Sequence, residues 1–365
     1  MDQGHGLLAN KDPFIFIFSM KRVIVIGGGF AGSYVARELE NKFNVTLIDS
    51  KDYFEFTPGI LRTIVEPEHI KKIQILHTHY LKKAKVIVGC VKKITSNDVT
   101  LEDNKKIHFD YLVICSGSSY NVPFKEKDII KVTRAEHLRD RYNDLCKAKE
   151  ILIIGGGLVG VELAAEICTH YNDKKITIIH SKEKLIERNH EKAIKYAERF
   201  LKKKGVKIIY GERAIQKKKN FFLTDKGNKL KSDMIFLCTG ITPNYDFMES
   251  NFSLSLNEKN QIIVNEHLQL IGENNIFVAG DITDRLEEKT AQNAERQAKI
   301  VVKNIIALEN KNNLVSYHSK KTPIVISLGK YNGILDLGKF VLMGFIPALL
   351  KSFIEIKEMR KLKQS

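Results

Sequence analysis

Two glycine-rich segments give this 365-residue chain its clearest chemical signal. They read Gly27-Gly28-Gly29-Phe30-Ala31-Gly32 and Gly155-Gly156-Gly157-Leu158-Val159-Gly160. In such a GxGxxG pattern the first glycine allows a tight turn, the second lets the backbone approach a pyrophosphate, and the third lets a helix pack closely on a strand. The helix that follows presents free N–H groups and the positive end of its dipole to the phosphates. Both segments are therefore predicted to bind a dinucleotide.

The elements around the glycines support this interpretation. Before the first copy, Arg22 to Ile26 predicts a strand; after it, Ser33 to Leu39 predicts a helix and Val45 to Ile48 a second strand. The second copy repeats this order with Ile151 to Ile154, Val161 to Cys168 and Ile176 to Ile179. A single GxGxxG is a weak signal, whereas two copies in the same frame are specific.

The two copies differ where their second strands end. Asp49 ends that strand in the first copy, and a carboxylate there can accept hydrogen bonds from a ribose 2′-hydroxyl. The second copy has His180 and Ser181 at the matching place, followed by Lys182, which could attract a 2′-phosphate. Because no acid stands at this point of the sequence, NADH and NADPH remain alternatives for the second nucleotide.

Three further segments combine an apolar run with a terminal glycine. Leu112 to Gly117 and Ile235 to Gly240 would each close one strand–helix–strand module. The third, Asn275 to Asp281, ends in Gly-Asp. It precedes Lys289-Thr290-Ala291-Gln292, which predicts the start of a helix that continues to about Leu308.

These five landmarks resemble the pyridine nucleotide–disulfide oxidoreductase superfamily, flavoproteins with two dinucleotide-binding domains, from about Arg22 to Leu308. The resemblance implies an α/β fold with two Rossmann-like domains, with FAD on the first copy and NADH or NADPH on the second. The NAD(P) domain, residues 122–244, would be inserted in a discontinuous FAD domain, residues 20–121 and 245–310. An N-terminal extension, residues 1–19, and a C-terminal region, residues 311–365, complete the predicted organisation.

The resemblance also assigns roles to individual residues. Asp49 would hold the FAD adenosine ribose, Ser116 and Gly117 would lie along the cofactor, and Asp281 would bind near the ribityl–pyrophosphate. The segment from Phe54 to Thr57, with Pro58, would form a wall of the flavin site, although such an aromatic pair is as often part of a core. The other residues expected to contact a cofactor are Lys51, Arg62, Val91, His180, Ser181, Thr239, Gly240, Gly280, Thr290 and Ala291.

Within the superfamily, the sequence is most similar to the apoptosis-inducing-factor-like, ferroptosis-suppressor-type proteins. Lys175 to Ser181, Val264 to Gln269 and Ile326 to Lys330 carry this resemblance, and Thr57-Pro58 and Lys289 to Gln292 resemble the type II NADH dehydrogenases. In these groups electrons pass from NAD(P)H through FAD to a quinone.

The cysteines favour the same branch. Disulfide reductases carry a closely spaced cysteine pair beside the flavin, whereas here the nearest two, Cys146 and Cys168, are 22 residues apart. Electrons are therefore expected to leave the flavin directly for an external acceptor, and the five cysteines are interpreted as core thiols.

Hydride transfer between two cofactors needs positioning and electrostatics more than side-chain chemistry. Lys289 is expected to stabilise negative charge near flavin N1–O2, with a solvated loop lysine as the alternative. The resemblance makes Glu162 a contact to the nicotinamide or its ribose; the alternative is a first-turn acid that stabilises the helix dipole. His77 and His79 lack further ligands at metal-binding spacing, so no metal site is expected.

The net charge of the chain and the pattern of its C-terminal tail both indicate which partners it could bind. The net charge of +16 favours anionic partners, namely phosphorylated cofactors, anionic lipid or nucleic acid. In the tail, Ile346, Leu349, Leu350 and Phe353 follow helical spacing next to a cluster of cations, Lys351, Lys357, Arg360, Lys361 and Lys363. This pattern suits an anionic membrane surface, although a helix packed on the flavin domain has the same pattern.

The favoured hypothesis is thus a flavin-dependent NAD(P)H:quinone oxidoreductase. It would be cytoplasmic and peripherally attached to a membrane, with the mitochondrial outer surface and the lipid droplet as candidate sites. Two alternatives remain: a nucleic-acid-binding death effector, which has no visible binding motif, and a reductase for a ferredoxin-like protein. The oligomeric state is left open.

Overall fold

The computed structural model describes residues 20–119, 129–131, 134–218 and 221–364. The predicted extension at residues 1–19 lies outside these described residues. The first unit contains ten strands and three helices: β1 (Arg22–Ile26), α1 (Phe30–Leu39), β2 (Asn44–Asp49), β3 (Tyr53–Glu55), α2 (Ile70–Ile73), β4 (Gln74–Leu76), α3 (His77–Tyr80), β5 (Lys85–Val88), β6 (Val91–Ile94), β7 (Asp98–Leu101), β8 (Lys106–His108), β9 (Tyr111–Ile114) and β10 (Ser118–Ser119). Short 3₁₀ helices, Thr57–Ile64 and Pro67–His69, connect β3 to α2.

The second unit contains the same strand, glycine turn, helix and strand, from β12 to β13, among other elements in a different order. Its elements are β11 (Ile129–Lys131), α4 (Ala135–Arg139), α5 (Tyr142–Lys147), β12 (Glu150–Ile154), α6 (Leu158–His170), β13 (Lys175–His180), α7 (Glu191–Lys203), β14 (Lys207–Tyr210), β15 (Ala214–Lys218), β16 (Phe221–Thr224), β17 (Lys229–Lys231) and β18 (Met234–Leu237).

The chain then returns to the first unit and ends in a third layer. These elements are β19 (Thr242–Pro243), α8 (Glu249–Phe252), β20 (Ile276–Val278), α9 (Ala291–Glu309), β21 (Ile324–Ser327), β22 (Gly333–Asp336), β23 (Val341–Gly344) and α10 (Phe345–Lys363), with 3₁₀ turns at Asp246–Met248 and Ser253–Ser255.

Two five-stranded parallel sheets organise the molecule. Their strand orders are β20-β9-β1-β2-β5 and β11-β18-β12-β13-β14. Most residues of the central strands are buried, as expected for a parallel sheet covered on both faces. A three-stranded antiparallel sheet accompanies each one, β6-β7-β8 in the first unit and β15-β16-β17 in the second. The prediction of an α/β fold with two Rossmann-like domains is confirmed.

The two sheets differ in the origin of the edge strand that stands first in each strand order. In the first sheet that strand is β20, which lies more than 150 residues after β9 in sequence; in the second it is β11, which precedes β12. The chain crosses between the units twice, and the crossings pair as β10 and β19. There Ser116 Oγ donates to the carbonyl of Asn244 at 2.9 Å, and Asn244 Nδ2 donates back to the carbonyl of Ser116 at 2.7 Å.

The C-terminal layer is a three-stranded antiparallel sheet, β21-β22-β23, with α10 packed against it. The apolar run that begins at Phe340 is therefore divided, because Gly344 ends β23 with φ 102° and α10 starts at Phe345. Pro347 is in the first turn of α10, where its missing N–H costs no helical hydrogen bond. Among the described residues, no helix is long and apolar enough to span a membrane.

Candidate functional site

The glycines of the first copy shape a cradle at the carboxyl end of β1. Gly27 has φ 92°, a left-handed conformation that favours glycine, and an ideal Cβ on Gly32 would lie 1.8 Å from the carbonyl oxygen of Gly27. Gly29 is exposed, and no atom lies within 4 Å of its Cβ position. The backbone therefore has a tight turn, a close helix–strand contact and an open approach in the order that a pyrophosphate site requires.

The second copy has the same geometry at the end of β12. Gly155 has φ 111°, a Cβ on Gly160 would lie 1.9 Å from the Gly155 carbonyl oxygen, and nothing lies within 4 Å of the Cβ position of Gly157. Helix α6 starts directly after Gly157, as α1 starts after Gly29, three residues earlier than the sequence pattern indicates. We call these two sites the first and second cradle.

A carboxylate lies behind the second glycine of the first cradle. Asp49 is buried, and its Oδ2 accepts the backbone N–H of Gly28 at 2.7 Å and lies 3.3 Å from Nε2 of His77. Burial alone would raise the pKa of Asp49, but the His77 imidazole, the Lys51 ammonium and the Gly28 N–H together hold the pKa of this carboxyl below its usual value. Lys51 Nζ lies 4.0 Å from Asp49 Oδ1.

His77 is a site residue that sequence reasoning missed. It is fully buried on α3, and its Nδ1 lies 2.7 Å from the hydroxyl of Tyr80, while Nε2 faces Asp49. From the sequence, His77 was considered only as a metal ligand. The described residues contain no group of three or more side chains that could hold a metal ion.

In the second cradle an imidazole takes the position of the carboxylate. Nδ1 of His180 accepts the backbone N–H of Gly156 at 3.1 Å. On the outer side of the ring, Nε2 lies 3.5 Å from Oε2 of Glu187. The sequence position lacks an acid, as predicted, but the fold brings one from the loop between β13 and α7. Ser181 is exposed next to His180.

Aromatic side chains stand beside the first cradle. The Phe30 ring makes edge contacts with Phe54 at 5.2 Å and Phe56 at 5.7 Å between centroids. Phe54 and Phe56 are buried, so they belong to the core as well as to this wall. Pro58, in the following 3₁₀ helix, is partly buried, as is Val91 at the start of β6.

The Gly-Asp turn after β20 approaches the first cradle from the other side. Ser118 Oγ donates to Asp281 at 2.9 Å, and the N–H of Gly280 donates to Gln297 at 2.7 Å. Burial raises the pKa of Asp281. Gln297, a buried side chain of α9, also donates to Glu287 at 2.7 Å, so α9 fixes the turn. Thr239 and Gly240 form the exposed edge after β18 in the second unit.

Lys289 is bound to its own loop just before α9. Its ammonium donates to the carbonyl oxygens of Thr283 at 2.6 Å and Arg285 at 3.3 Å, and burial lowers its pKa. The alternative of a solvated loop lysine is therefore wrong. Thr290 caps α9 by accepting the N–H of Asn293, and Ala291 is the first helical residue, so the predicted helix start is confirmed.

Glu162 lies in a polar cleft where both units meet the C-terminal layer. Its Oε1 accepts the backbone N–H of Ser327 and the ammonium of Lys351, each at 2.7 Å. No acid occupies the first turn of α6, so the alternative of a first-turn acid is wrong. Lys351 faces this cleft from α10, which corrects its assignment to the surface cations of the tail.

The same cleft contains Arg62, which donates to Glu166 of α6 at 3.2 Å. His69 lies 3.3 Å from Glu355 of α10 on its other side. These contacts tie three parts of the chain together, and the cavity between them is large enough for about one water molecule, at 20 Å³. Because the partners are far apart in sequence, no local pattern indicates them.

The cysteines divide into two groups. Cys115, Cys168 and Cys238 are buried, as predicted, whereas Cys90 and Cys146 are exposed, so the prediction of core thiols is wrong for these two. Burial raises the pKa of Cys168 to about 11 and that of Cys238 to about 12. Thiols with such values stay protonated at neutral pH, and it is the thiolate that reacts.

Two cradles of this geometry, one on each parallel sheet, define a protein with two dinucleotide-binding sites. A sequence profile described as pyridine nucleotide-disulphide oxidoreductase matches residues 21–298. The chain belongs to this family. It is an NAD(P)H-dependent oxidoreductase with FAD as its flavin, and the predicted cofactors are confirmed.

Curated relatives and solved structures agree with this assignment. The chain is 37% identical to apoptosis-inducing factor homolog B of Dictyostelium discoideum over 91% of this chain and 94% of the relative. It is 30% identical to ferroptosis suppressor protein 1 of Taeniopygia guttata over 91% and 92%. The predicted resemblance to these two groups is confirmed.

Two solved structures share the fold. One is the sulfide:quinone oxidoreductase of Aquifex aeolicus, with a TM-score of 0.84 and 20% identity over 94% of this chain and 92% of that one. The other is NDH2 of Plasmodium falciparum in complex with NADH, with a TM-score of 0.81 and 16% identity over 94% and 96%.

Proposed function

We propose that this protein is an FAD-dependent NAD(P)H:quinone oxidoreductase that works at an anionic membrane surface. The observation that carries the proposal is the division of α10 into two faces. One face reaches the cleft beside the second cradle through Lys351 and Glu355, and the other exposes apolar side chains. A quinone dissolves in lipid, so its reductase needs a surface that contacts lipid close to the redox site.

The apolar face is continuous along α10 and the neighbouring strand. Phe353 is 63% exposed and Ile346 is 62% exposed. The remaining exposed members are Phe340, Met343, Phe345, Leu349 and Ile356. Leu350, which the sequence pattern assigned to this stripe, is partly buried. A contiguous apolar patch of this kind marks an interaction site on a water-soluble domain.

Cations flank the apolar face. Lys357, Arg360 and Lys363 are exposed on the last turns of α10, whereas Lys361 is paired with Glu295 at 3.2 Å. Apolar side chains beside exposed cations suit an interface with anionic headgroups, where each cation near the surface adds about 1 kcal/mol. The opposite side of α10, with Pro347, Met359 and Leu362 buried, packs on the protein. The interpretation of a packed helix therefore holds for this side of α10, and we propose the membrane contact for the exposed side.

In the proposed reaction, individual residues of this chain position the nucleotide and stabilise charge on the flavin. FAD held by the first cradle would supply the chemistry that accepts a hydride from NAD(P)H and delivers electrons to a quinone. Glu162, held by Lys351 and the Ser327 N–H, would orient the nicotinamide ribose or ring. Lys289 and the N-terminus of α9 would favour negative charge on the flavin ring.

The acceptor is tested with purified protein that contains FAD. NADH or NADPH should bleach the flavin absorbance under anaerobic conditions, and a short-chain quinone should restore it with multiple turnovers. Restoration by an iron–sulfur carrier but not by quinones would replace the quinone with a ferredoxin-like acceptor. Binding to DNA with a steep salt dependence and no turnover would favour the nucleic-acid alternative.

The membrane surface is tested with the double variant Ile346→Asp, Phe353→Asp. Burying one such side chain is worth about 1.5–3 kcal/mol, so flotation with phosphatidylserine vesicles should weaken at least about tenfold. Turnover of a water-soluble quinone should stay within about twofold. Leu254→Asp is the matched control, because Leu254 is 97% exposed in another part of the chain. Equal vesicle binding by the double variant and the control would contradict the proposal.

A further inference from the structure

The imidazole of the second cradle has an orientation that the hydrogen bonds define. His180 is 8% exposed, and its Nδ1 accepts the Gly156 N–H at 3.1 Å. In the neutral ring the proton is therefore on Nε2. Within the described residues this buried Nε2 makes no hydrogen bond, and the Glu187 carboxylate is 3.5 Å away. The outer nitrogen of the ring thus lies near an acid just outside the cradle.

The loop that carries Glu187 is anchored to the glycine turn. The N–H of Ile186 donates to the carbonyl of Gly156 at 2.9 Å, and the Leu185 side chain is fully buried against the same glycine. Ile186 has φ 41°, a left-handed conformation that is unusual for a β-branched residue. The structure therefore fixes the backbone of the loop immediately before Glu187.

The position of this acid matters for the adenosine ribose of the nucleotide. In dinucleotide-binding domains the residue at the end of the second strand hydrogen-bonds the ribose hydroxyls when it is acidic. In this chain that position is His180, and the nearby acid is Glu187 of the following loop, whose Oε2 lies 3.5 Å from His180 Nε2. A free 2′-hydroxyl can donate to the Glu187 carboxylate, whereas a 2′-phosphate would bring like charge against it.

Two cations of the loop are paired with acids, and a third cation could compete with Glu187 for control of the nucleotide preference. Lys184 is paired with Glu191 at 2.9 Å and Arg188 with Glu288 at 3.6 Å. Lys182 is exposed on the same loop and would attract a 2′-phosphate, so it opposes Glu187. Both side chains are exposed, so salt screens both charges, but Glu187 is the one that lies beside the buried imidazole at the end of β13.

We propose that Glu187, positioned by His180, makes the second cradle select NADH over NADPH. The proposal deepens the proposed function, because it names the electron donor of the same site. It does not depend on the acceptor or on the membrane. Specificity would come chiefly from rejection of the phosphorylated nucleotide rather than from tighter binding of NADH.

Anaerobic stopped-flow reduction of the bound flavin by NADH and by NADPH tests the proposal, with no quinone present. The wild-type protein should show a second-order rate constant of flavin reduction that is at least about tenfold higher for NADH than for NADPH, since a like charge is adjacent to the 2′-phosphate. Glu187→Gln should lower this ratio of rate constants about tenfold, mainly by raising the rate constant for NADPH. Higher salt should lower the ratio of the wild-type protein but not that of the variant.

Glu183→Gln is the control, because Glu183 is an exposed acid of the same loop and loses the same charge. Its ratio should stay within about twofold of wild type. The inference is overturned if the wild-type protein uses NADPH as well as NADH, if Glu187→Gln leaves the ratio unchanged, or if both variants change it equally. If neither nucleotide reduces the flavin, the result would instead refute NAD(P)H as the electron donor in the proposed function.

Discussion

The two cradles have nearly the same backbone, but the carboxylate and the imidazole behind it stand in the opposite order. In the first, the Gly28 N–H donates to the Asp49 carboxylate, and the His77 imidazole stands behind that acid. In the second, the Gly156 N–H donates to the His180 imidazole, and the Glu187 carboxylate lies beyond it. Imidazole and carboxylate have exchanged places.

This exchange separates what the scaffold fixes from what the side chains decide. Both cradles need an acceptor for the N–H of the middle glycine, because a buried N–H without a partner is costly. A carboxylate and an imidazole nitrogen satisfy it equally well. They differ in where the negative charge lies, which is against the backbone in the first cradle and one side chain further out in the second. Ligand choice therefore depends on charge placement rather than on the glycine pattern.

A second comparison concerns one matched position on the helices that leave the cradles. Counted from the first glycine, Tyr34 of α1 corresponds to Glu162 of α6. Both residues meet a lysine of α10, since Lys361 Nζ lies 5.6 Å from the centre of the Tyr34 ring and Lys351 Nζ lies 2.7 Å from Glu162. The C-terminal helix thus bridges the two units by a cation–π contact at one end and an ion pair at the other.

The largest expected effect comes from closing the first cradle. In Gly29→Val the side chain would fit the protein, because the backbone is extended at φ −74°, ψ −160° and nothing lies within 4 Å of the Cβ position. It would instead fill the space of a pyrophosphate. We expect the purified variant to fold, to lack bound flavin and to lose all activity, as measured by flavin absorbance and circular dichroism. Full flavin content in this variant would contradict the assignment of FAD to the first cradle.

Closing the second cradle should have a smaller and more selective effect. Gly157 has the same extended backbone, at φ −73°, ψ −172°, and the same open space. Gly157→Val should therefore keep its flavin, while reduction by NADH or NADPH falls by at least about a hundredfold in stopped-flow kinetics. Loss of flavin in this variant as well would show that the two cradles are not independent.

The matched helix positions should respond differently to conservative changes. Glu162→Gln keeps the size of the side chain but removes the partner charge of Lys351, so flavin reduction by NADH should slow by about tenfold. Tyr34→Phe keeps the ring that faces Lys361 and should change the rate by less than about twofold. Dithionite reduces the flavin without the nucleotide and should act equally on both variants. Equal NADH rates in the two variants would exclude a role for Glu162 in the transfer.

The smallest effect concerns acid stability of the first cradle. The pKa of Asp49 is below its ordinary value of 3.8 in the folded protein, so its ionised form stabilises the fold at higher pH. This contribution is complete well above pH 3.8 and is lost as the pH falls through the lower, folded-state pKa. Asp49→Asn should remove it, so the difference in unfolding free energy between wild type and variant should shrink in acid. A difference that is the same at pH 7 and pH 3 would contradict the ionised Asp49.

Local sequence alone was enough to predict the two cradles. The turn at Gly27, the open approach at Gly29 and the close packing at Gly32 are properties of single glycines within a few residues of one another, and the second copy repeats them. Apolar runs before each copy predicted the central strands of two parallel sheets. Short-range sterics and hydrophobic periodicity determine these features, so they can be read along the chain.

Only the tertiary structure decided which charged groups meet at the cradles. His77 reaches Asp49 across 28 residues, and Lys351 reaches Glu162 across 189. The two faces of α10 likewise depend on what packs against it, which explains why one of the five predicted surface cations, Lys351, lies in the cleft and another, Lys361, in an ion pair. Ion pairs act through space and leave no periodicity in the sequence. Their partners become known only when the fold brings distant segments together.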